Sequence, residues 1–333
     1  MIKRKLLVLL LLLLSACSAS EDNSNGLESG AAIFPLTGIE TNENADNRIV
    51  AVMINNSPEA RPQTGLSQAD IVFEMLTEGN VTRLLALYQS EYPEVVGPVR
   101  SAREYYLRLA QNYNAIFVYH GAASFVDDMI KDSGVEFLNG KDYDNDGHLF
   151  RRESFREAPH NSYLQFTAIP EVAGDIDYDM TAAYEPLPFL SKEEMNNLSG
   201  DEANYVELKS YSNKPEETIS YVYDPEKEVY HRFTGNEQTV EFDTNEPVQL
   251  ANVLIIEAPH EVIDDEGRRS VDLTTGGDAF LLQRGKVQRI GWMNENGMVI
   301  PVIEGSPAGF VPGKTWINVI PDTPGLEAVT AIE

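Results

Sequence analysis

The sequence predicts an α+β protein in which a mixed α/β domain precedes a mostly antiparallel β domain. Within residues 34–178, buried apolar runs of strand length alternate with segments of helical periodicity, a pattern typical of mixed α/β structure. Residues 179–203 are rich in Pro, Ser and Asn and form a predicted connector. Within 204–322, short alternating or β-branched runs are separated by turn dipeptides, which favours antiparallel strands. Residues 323–333 are predicted to form a tail.

The first residues carry the pattern of an export signal. Three basic residues at 3–5 precede the apolar run 6–14, which is too short to span a bilayer permanently. The run ends in Leu-Ser-Ala-Cys, which resembles the bacterial lipobox, where the cysteine becomes the lipid-bearing N-terminus. We predict a signal peptide at 1–16, acylation of Cys17 with chains such as palmitate, and a flexible acidic tether through residue 33. The alternative is a chance cysteine within an ordinary secretory signal.

The charge of the chain limits its partners. The formal net charge is −28, and cleavage before Cys17 removes three basic residues and no acidic one, which leaves −31. Such a chain is repelled by nucleic acid and by anionic lipid surfaces, so nucleic acid is excluded as a partner. We expect a protein held by its N-terminal lipid at the extracytoplasmic face of the cell membrane.

The N-terminal domain begins with strands and a hairpin. The apolar runs predict strands at 48–55, 70–76, 82–89, 115–119 and 135–138. Glu78-Gly79-Asn80 has turn chemistry and predicts a hairpin between the second and third of these strands. A helix is predicted to begin at Ser101, with Ser101 and Glu104 as a capping box. A second helix is predicted at 122–131.

The C-terminal domain is predicted from six runs of strand character. These runs lie at 219–223, 229–233, 253–258, 279–283, 287–292 and 315–320. Five aromatic residues of this domain suggest either a carbohydrate platform or ordinary core packing. They are Tyr221, Tyr223, Tyr230, Trp292 and Trp316.

Arginines are concentrated in the N-terminal domain, where nine arginines and two lysines fall between residues 34 and 165. The candidates for anion binding are Arg61, Arg83, Arg100, Ser101 and Arg103. The arginine fork binds carboxylates and phosphates in bidentate fashion, and the start of a helix adds free amides and a positive dipole end. The other interpretation is that these arginines pair within the domain. That pairing would use Asp70, Glu74, Glu78 and Glu104.

An acidic loop carries the spacing of a calcium ligand set. The candidate ligands for Ca²⁺ are Asp142, Asp144, Asp146 and Glu153, with Gly147 at the sharp turn. The preceding segment has strand character, and Phe150 occupies a position that is a ligand in EF-hands. Calcium binding and a simple acidic turn therefore both remain open.

The candidate acid–base residues are Glu78, His120, His160 and Asn161. His120 follows a predicted buried strand, a position where α/β proteins often place ligand sites. Hydrogen-bonded structural histidines are the other interpretation. Ser101 is either a nucleophile or the helix cap. None of the short motifs of serine hydrolases, zinc proteases or phosphate-binding loops is present in the sequence.

Several stretches are similar to the YerB-like bacterial lipoproteins, a family of unknown function. These stretches are ARPQTGLSQADIVFE, EGNVTR, GPVRSAR, APHN, YVYDPEKEVYHRF and PGKTWINVIP. The resemblance implies an N-terminal α/β sandwich-like domain and a separate C-terminal β domain. The motif residues it indicates here are Arg61, Gln63, Glu78, Arg83, Arg100, Ser101, Arg103, His160 and Asn161.

Two functions follow as hypotheses. The first is a non-enzymatic envelope lipoprotein that binds an envelope protein or an anionic cell-wall ligand through its arginines. The second is a hydrolase acting on cell-wall or other envelope polymers, with His120, His160 and Glu78 in proton transfer. The absence of a recognised catalytic motif favours the first hypothesis.

Overall fold

Buried apolar runs from both halves of the chain form one 12-stranded sheet. The computed structural model describes residues 32–212 and 214–332. The predicted signal peptide, Cys17 and almost all of the tether lie outside the described residues. Within the described part, no helix is both long and apolar enough to cross a membrane.

The N-terminal half contains ten strands and three helices, listed here in chain order. The strands are β1 (Ala32–Ile33), β2 (Glu40–Thr41), β3 (Val50–Asn55), β4 (Ile71–Leu76), β5 (Thr82–Tyr88), β6 (Val95–Val96), β7 (Ile116–Tyr119), β8 (Phe137–Asn139), β9 (Phe150–Arg152) and β10 (Ser162–Gln165). The helices are α1 (Glu104–Asn112), α2 (Ser124–Asp132) and α3 (Ile169–Asp175). The five strands, the hairpin and the second helix predicted for this half are confirmed, with boundary shifts of one to three residues.

The C-terminal half is almost entirely β-structure. A short helix, α4 (Lys192–Asn196), lies in the predicted connector. The strands are β11 (Asp201–Glu202), β12 (Tyr205–Leu208), β13 (Ile219–Asp224), β14 (Val229–Thr234), β15 (Glu237–Gln238), β16 (Gln249–Leu250), β17 (Asn252–Ala258), β18 (His260–Val262), β19 (Arg269–Val271), β20 (Gly277–Gln283), β21 (Lys286–Glu295), β22 (Met298–Ile303), β23 (Ser306–Pro307), β24 (Thr315–Pro321) and β25 (Val329–Ile332). All six strands predicted for this half are present.

The large sheet has the order β23-β22-β21-β20-β17-β24-β4-β5-β3-β7-β8. Strands β17, β24, β4, β3, β7 and β8 share one direction, because the pairs between them are parallel or related through the antiparallel strand β5. Their carboxyl ends therefore lie along one edge of the sheet. In α/β proteins this edge is the usual place for a ligand site.

Both faces of the large sheet are buried, and neighbouring residues alternate between two cores. Val52 packs in a core with Tyr221 and other residues of a six-stranded sheet built from β12–β16 and β25. Met53 packs in the opposite core with Leu109 of α1 and Ile130 of α2. Burial on both faces also explains why β5 is a strand despite its three leucines, since strands covered on both sides read as continuous apolar runs.

Three expectations differ from the structure. The separate C-terminal β domain instead shares the large sheet with the N-terminal half, because β24 pairs in parallel with both β17 and β4. The predicted tail contains β25, which pairs antiparallel with β12. The predicted capping box at Ser101 is wrong: α1 has Arg103 at its N-cap, without a side-chain cap hydrogen bond.

The segment before α1 is extended for a reason the local sequence does not show. The backbone N–H of Arg100 donates to the carbonyl of Met53, and the carbonyl of Arg100 accepts from His120. Ala102 donates to the carbonyl of Gly121. These bonds hold residues 100–102 along the ends of β3 and β7, and a helix can begin only after them.

Candidate functional site

Three loops meet at the carboxyl-end edge of the sheet: residues 56–63, 97–103 and 153–161. Asn55, at the end of β3, donates its backbone N–H to the carbonyl of Pro98 at 2.9 Å. Val99 donates to the carbonyl of Ser162 at 2.7 Å, which ties the second loop to the third. The meeting of these loops brings Arg61, Arg100, His160 and Asn161 into one region.

Arg83 and Arg103 form a closed ion-pair cluster with Glu78. Arg103 donates its Nε to Glu78 Oε1 at 2.8 Å, and Arg83 Nη2 lies 3.3 Å from Glu78 Oε2. Arg83 also donates to the carbonyl of Ser101 at 2.8 Å. Burial opposes ionisation of Glu78, but the charges of Arg83 and Arg103 outweigh it and hold its pKa below the ordinary value. Burial lowers the pKa of Arg83 to about 10. For these two arginines, pairing inside the domain describes the geometry.

Arg61 differs from this pair because no carboxylate of the described residues lies within ion-pair distance of it. Its Nε donates to the carbonyl of Asn56 at 3.1 Å, which fixes the direction of the side chain. Burial, followed by the charge of Arg232, lowers the pKa of Arg61, although an arginine stays charged at neutral pH. The guanidinium lines a groove between the first and third loops.

We call this space the Arg61 groove. It has a volume of about 650 Å³, and it is lined by Glu59, Arg61, Phe155, Arg156, Glu157, Ala158, His160 and Phe242. Phe155 and Phe242 stack with their ring centroids 4.9 Å apart and an interplanar angle of 12°. Phe155 is 52% exposed, so one of its faces remains available.

Arg156 joins the two loops that form the groove. Its guanidinium donates to the carbonyls of Glu59 and Pro62, the former at 2.6 Å, and lies 5.4 Å from the centre of the Phe242 ring. Arg156 therefore sets the position of the loop that carries Arg61.

His160 contributes a hydrogen-bond donor to the groove. Ser57 donates both its N–H and its hydroxyl to Asn55 Oδ1, so the Asn55 amide nitrogen must face His160 Nδ1, at 2.8 Å. Because that nitrogen donates, Nδ1 of His160 accepts and the ring proton lies on Nε2.

Arg100 lies beside His160, at the rim of the same region. Arg100 Nη1 lies 3.4 Å from the carbonyl of Pro159, and its buried Nε has no hydrogen-bond partner among the described residues. Burial, followed by the charge of Arg103, lowers the pKa of Arg100. Arg100 therefore adds a second positive charge near the groove.

His120 is held in a separate network. Its Nδ1 lies 2.7 Å from Ser162 Oγ, and its Nε2 lies 3.4 Å from Arg152 Nη2. Since an arginine can only donate, Nε2 accepts and Nδ1 must donate to the serine. Arg152 Nη1 also donates to Asn161 Oδ1 at 3.0 Å. Burial, followed by the charge of Arg152, lowers the pKa of His120.

The candidate calcium loop does not gather its carboxylates. Asp144 forms a two-point ion pair with Arg152, and Asp146 Oδ1 accepts three backbone N–H groups from residues 148–150. Arg151 Nη1 lies 4.0 Å from Glu153 Oε1, and Asp142 is exposed. Within the described residues, no group of three or more acidic, His or Cys side chains is arranged to hold a metal. Calcium binding stays a prediction that the geometry does not support.

The groove also contains residues that sequence reasoning missed. The five aromatic residues considered as a platform lie in the core or are partly buried, whereas the exposed platform is formed by Phe155 and Phe242. Both lie in loops without periodicity, and they are 87 positions apart in the chain. The position of Phe155 and Arg156 just before APHN is the one signal that pointed near them.

The fold and the loops that bear its motifs define a two-part family, and the comparisons with known proteins identify it. Residues 36–179 match the N-terminal domain, and residues 206–317 the C-terminal domain, of the family described as "Protein of unknown function (DUF3048)". The chain belongs to this family.

The particular relative is a protein of Bacillus subtilis (strain 168) named "Putative lipoprotein YerB". The two are 41% identical over 289 residues, which is 86% of each chain. The crystal structure of YerB protein from Bacillus subtilis matches with a TM-score of 0.83 and 40% identity, and covers 91% of this chain and 100% of that chain. The YerB-like resemblance predicted from the sequence is confirmed.

Proposed function

We propose that this protein is a non-enzymatic binding protein of the cell envelope that holds an anionic group of its ligand at Arg61. The observation that carries the proposal is an arginine that lines an open groove with no carboxylate partner among the described residues, in a chain of net charge −28. An uncompensated and half-buried guanidinium is suited to two-point binding of a carboxylate or a phosphate.

The proposed location rests on the N-terminus of the sequence. Leu14-Ser15-Ala16-Cys17 resembles a lipobox, and the Bacillus relative carries the word lipoprotein in its name. Cys17 would bear the lipid and hold the protein at the extracytoplasmic face of the cell membrane. Fractionation of cells that express Cys17→Ser tests this anchor, because a variant that stays with the membranes would contradict it.

The hydrolase alternative finds no support in the site. His120 donates to Ser162 and therefore does not accept the serine proton, and Ser162 is only 3% exposed. Glu78 is occupied by two arginines, and neither it nor His120 lines the groove that contains His160. General acid–base catalysis needs such groups around one substrate position.

The experiment is a calorimetric titration of the protein with a purified anionic cell-wall polymer, inorganic phosphate and glucuronate. Arg61→Gln removes the charge but keeps a polar side chain, and we expect it to weaken binding by about tenfold or more, in line with a lost charge-assisted hydrogen bond. The matched control is Arg108→Gln, which removes an exposed arginine that pairs with Glu104 on α1. Equal affinity of Arg61→Gln and the unaltered protein for every anion would overturn the proposal.

A further inference from the structure

The Arg61 groove has one flat apolar wall. Phe155 rests on Phe242 with nearly parallel rings, and Tyr163 meets Phe155 from the other side at a centroid distance of 5.4 Å and an angle of 58°. An exposed phenylalanine that is held on two sides presents a rigid surface at little cost in conformational entropy.

The remaining lining is polar and carries both signs of charge. Arg61 and the Nε2–H of His160 donate hydrogen bonds, and the carboxylates of Glu59 and Glu157 accept them. Neither carboxylate is in an ion pair among the described residues. The groove thus offers a flat apolar face together with separate donors and acceptors around it.

We infer that the groove binds a saccharide unit that carries a carboxylate, with the sugar ring against Phe155 and the carboxylate on Arg61. A pyranose ring has an apolar face of axial C–H groups and a rim of hydroxyls that both donate and accept. It therefore matches a phenylalanine wall between paired donors and acceptors. The inference rests on the proposed function and specifies its ligand class.

Two other ligand classes fit less well. A peptide would need pockets for apolar side chains or a free strand edge, and Ala158 is the only small apolar residue that lines the groove. A nucleotide could stack on Phe155, but its phosphate would bring two negative charges close to Glu59 and Glu157. One carboxylate is balanced by Arg61 alone.

Arg156 is a positioning residue in this arrangement. It binds the loop carbonyls at Glu59, Arg61 and Pro62 while it covers the ring of Phe242. It therefore fixes the distance between the aromatic wall and the Arg61 guanidinium.

The test uses the full chain in detergent and two sugars that differ in charge. One is the tetrasaccharide of alternating glucuronic acid and N-acetylglucosamine, and the other is the neutral tetrasaccharide of N-acetylglucosamine. We expect the acidic sugar to bind at least tenfold more tightly. Phe155→Ala should weaken the acidic sugar about tenfold, while Arg61→Gln should remove the preference for it.

Control variants and ligands separate the outcomes. Phe125→Ala removes an exposed phenylalanine on α2 and should leave binding unchanged. Phe155→Leu keeps the apolar contact without a flat ring, so a loss of sugar binding in this variant, with an unchanged melting temperature, excludes misfolding as the cause. Tighter binding of adenosine monophosphate than of the acidic sugar would overturn the inference. Arg61-dependent binding of inorganic phosphate alone, unaffected by Phe155→Ala, would overturn the inference but leave the proposed function standing. No effect of Arg61→Gln on any anion would remove both.

Discussion

Glu78 determines the role of two arginines at the residue scale. It is 32% exposed, yet it accepts from Arg83 and Arg103, whose side chains are about one-tenth exposed. Arg61 belongs to the same stretch of sequence and has no such partner among the described residues. The availability of a carboxylate in three dimensions therefore separates a structural arginine from one that can meet a ligand.

We predict that Glu78→Gln destabilises the fold by about 1–2 kcal/mol at neutral pH. Removing one partner of a fully buried pair costs about 3–5 kcal/mol, and partial exposure of Glu78 reduces this. Because the pKa of Glu78 is held below its ordinary value, its contribution is present above that ordinary value and is lost as pH falls through the folded pKa. Urea unfolding of both proteins should show the difference at neutral pH and its decline below about pH 4.

The matched control for this prediction is Glu104→Gln, which breaks the exposed pair of Glu104 and Arg108 on α1. We expect a loss of about 0.5 kcal/mol or less. An equal loss in both variants would show that the Glu78 cluster has no special role.

The residues of the candidate site divide into those the sequence could reveal and those it could not. Arg61 and His160 stood out because they are charged or polar residues in loops beside strands. Phe155 and Phe242 did not, because an aromatic residue in a loop is equally consistent with core packing. Only the meeting of two distant loops makes them one surface.

At the scale of the element, strand periodicity and burial predicted nearly every strand of the large sheet. The start of α1 was predicted wrongly because backbone bonds from Arg100 and Ala102 to neighbouring strands keep the preceding segment extended. A capping box does form at the start of α4, between Ser191 and Glu194, where no neighbouring strand competes. Local propensity therefore decides helix starts only where tertiary hydrogen bonds are absent.

Asp70 fixes the point at which β4 begins and β5 ends. Its Oδ2 accepts the backbone N–H groups of Gln89 at 2.7 Å and Ser90 at 2.8 Å, and its own carbonyl accepts from Thr315 at the start of β24. Burial raises the pKa of Asp70 to about 6, against the opposing effect of these hydrogen bonds.

We predict that Asp70 makes the fold less stable as pH rises from about 4 to about 6. A carboxyl whose folded pKa is raised binds its proton more tightly in the folded state, so its contribution is full below the unfolded pKa and is lost above the folded one. Asp70→Asn keeps an oxygen for the two N–H groups and cannot ionise. Relative to the unaltered protein, it should gain about 2–3 kcal/mol between pH 4 and pH 7.

Urea unfolding midpoints measured across this pH range check the prediction. Asp128→Asn, which neutralises an exposed carboxylate on α2, should show no comparable gain. A stability difference between Asp70→Asn and the unaltered protein that stays constant from pH 4 to pH 7 would contradict the raised pKa.

At the scale of the whole molecule, the two halves of the chain share a core as well as a sheet. Glu74 of β4 is 1% exposed, and Arg232 of β14 in the six-stranded sheet is 2% exposed. Arg232 Nη2 lies 3.0 Å from each carboxylate oxygen, and Trp316 of β24 donates to the same carboxylate at 3.0 Å. Sequence patterns locate each strand but not this pairing, because Glu74 and Arg232 are 158 positions apart.

We predict that Arg232→Met destabilises the protein by about 3–5 kcal/mol, because it leaves the buried Glu74 carboxylate without its counter-charge. Glu74→Gln alone should also be costly, since Arg232 would then be buried and unpaired. The double variant Glu74→Gln/Arg232→Met should lose less than the sum of the two single losses, because neither charge remains to be stranded.

Chemical unfolding followed by tryptophan fluorescence and by circular dichroism measures this coupling. The control is Arg284→Met, which removes a partner of the partly exposed Glu228 and should cost about 1 kcal/mol or less. Because the described residues from 32 onward form one compact unit, the two probes should report a single coincident transition in the unaltered protein. Strictly additive losses, or two separate transitions in the unaltered protein, would mean that the halves fold independently and that the buried pair does not join them.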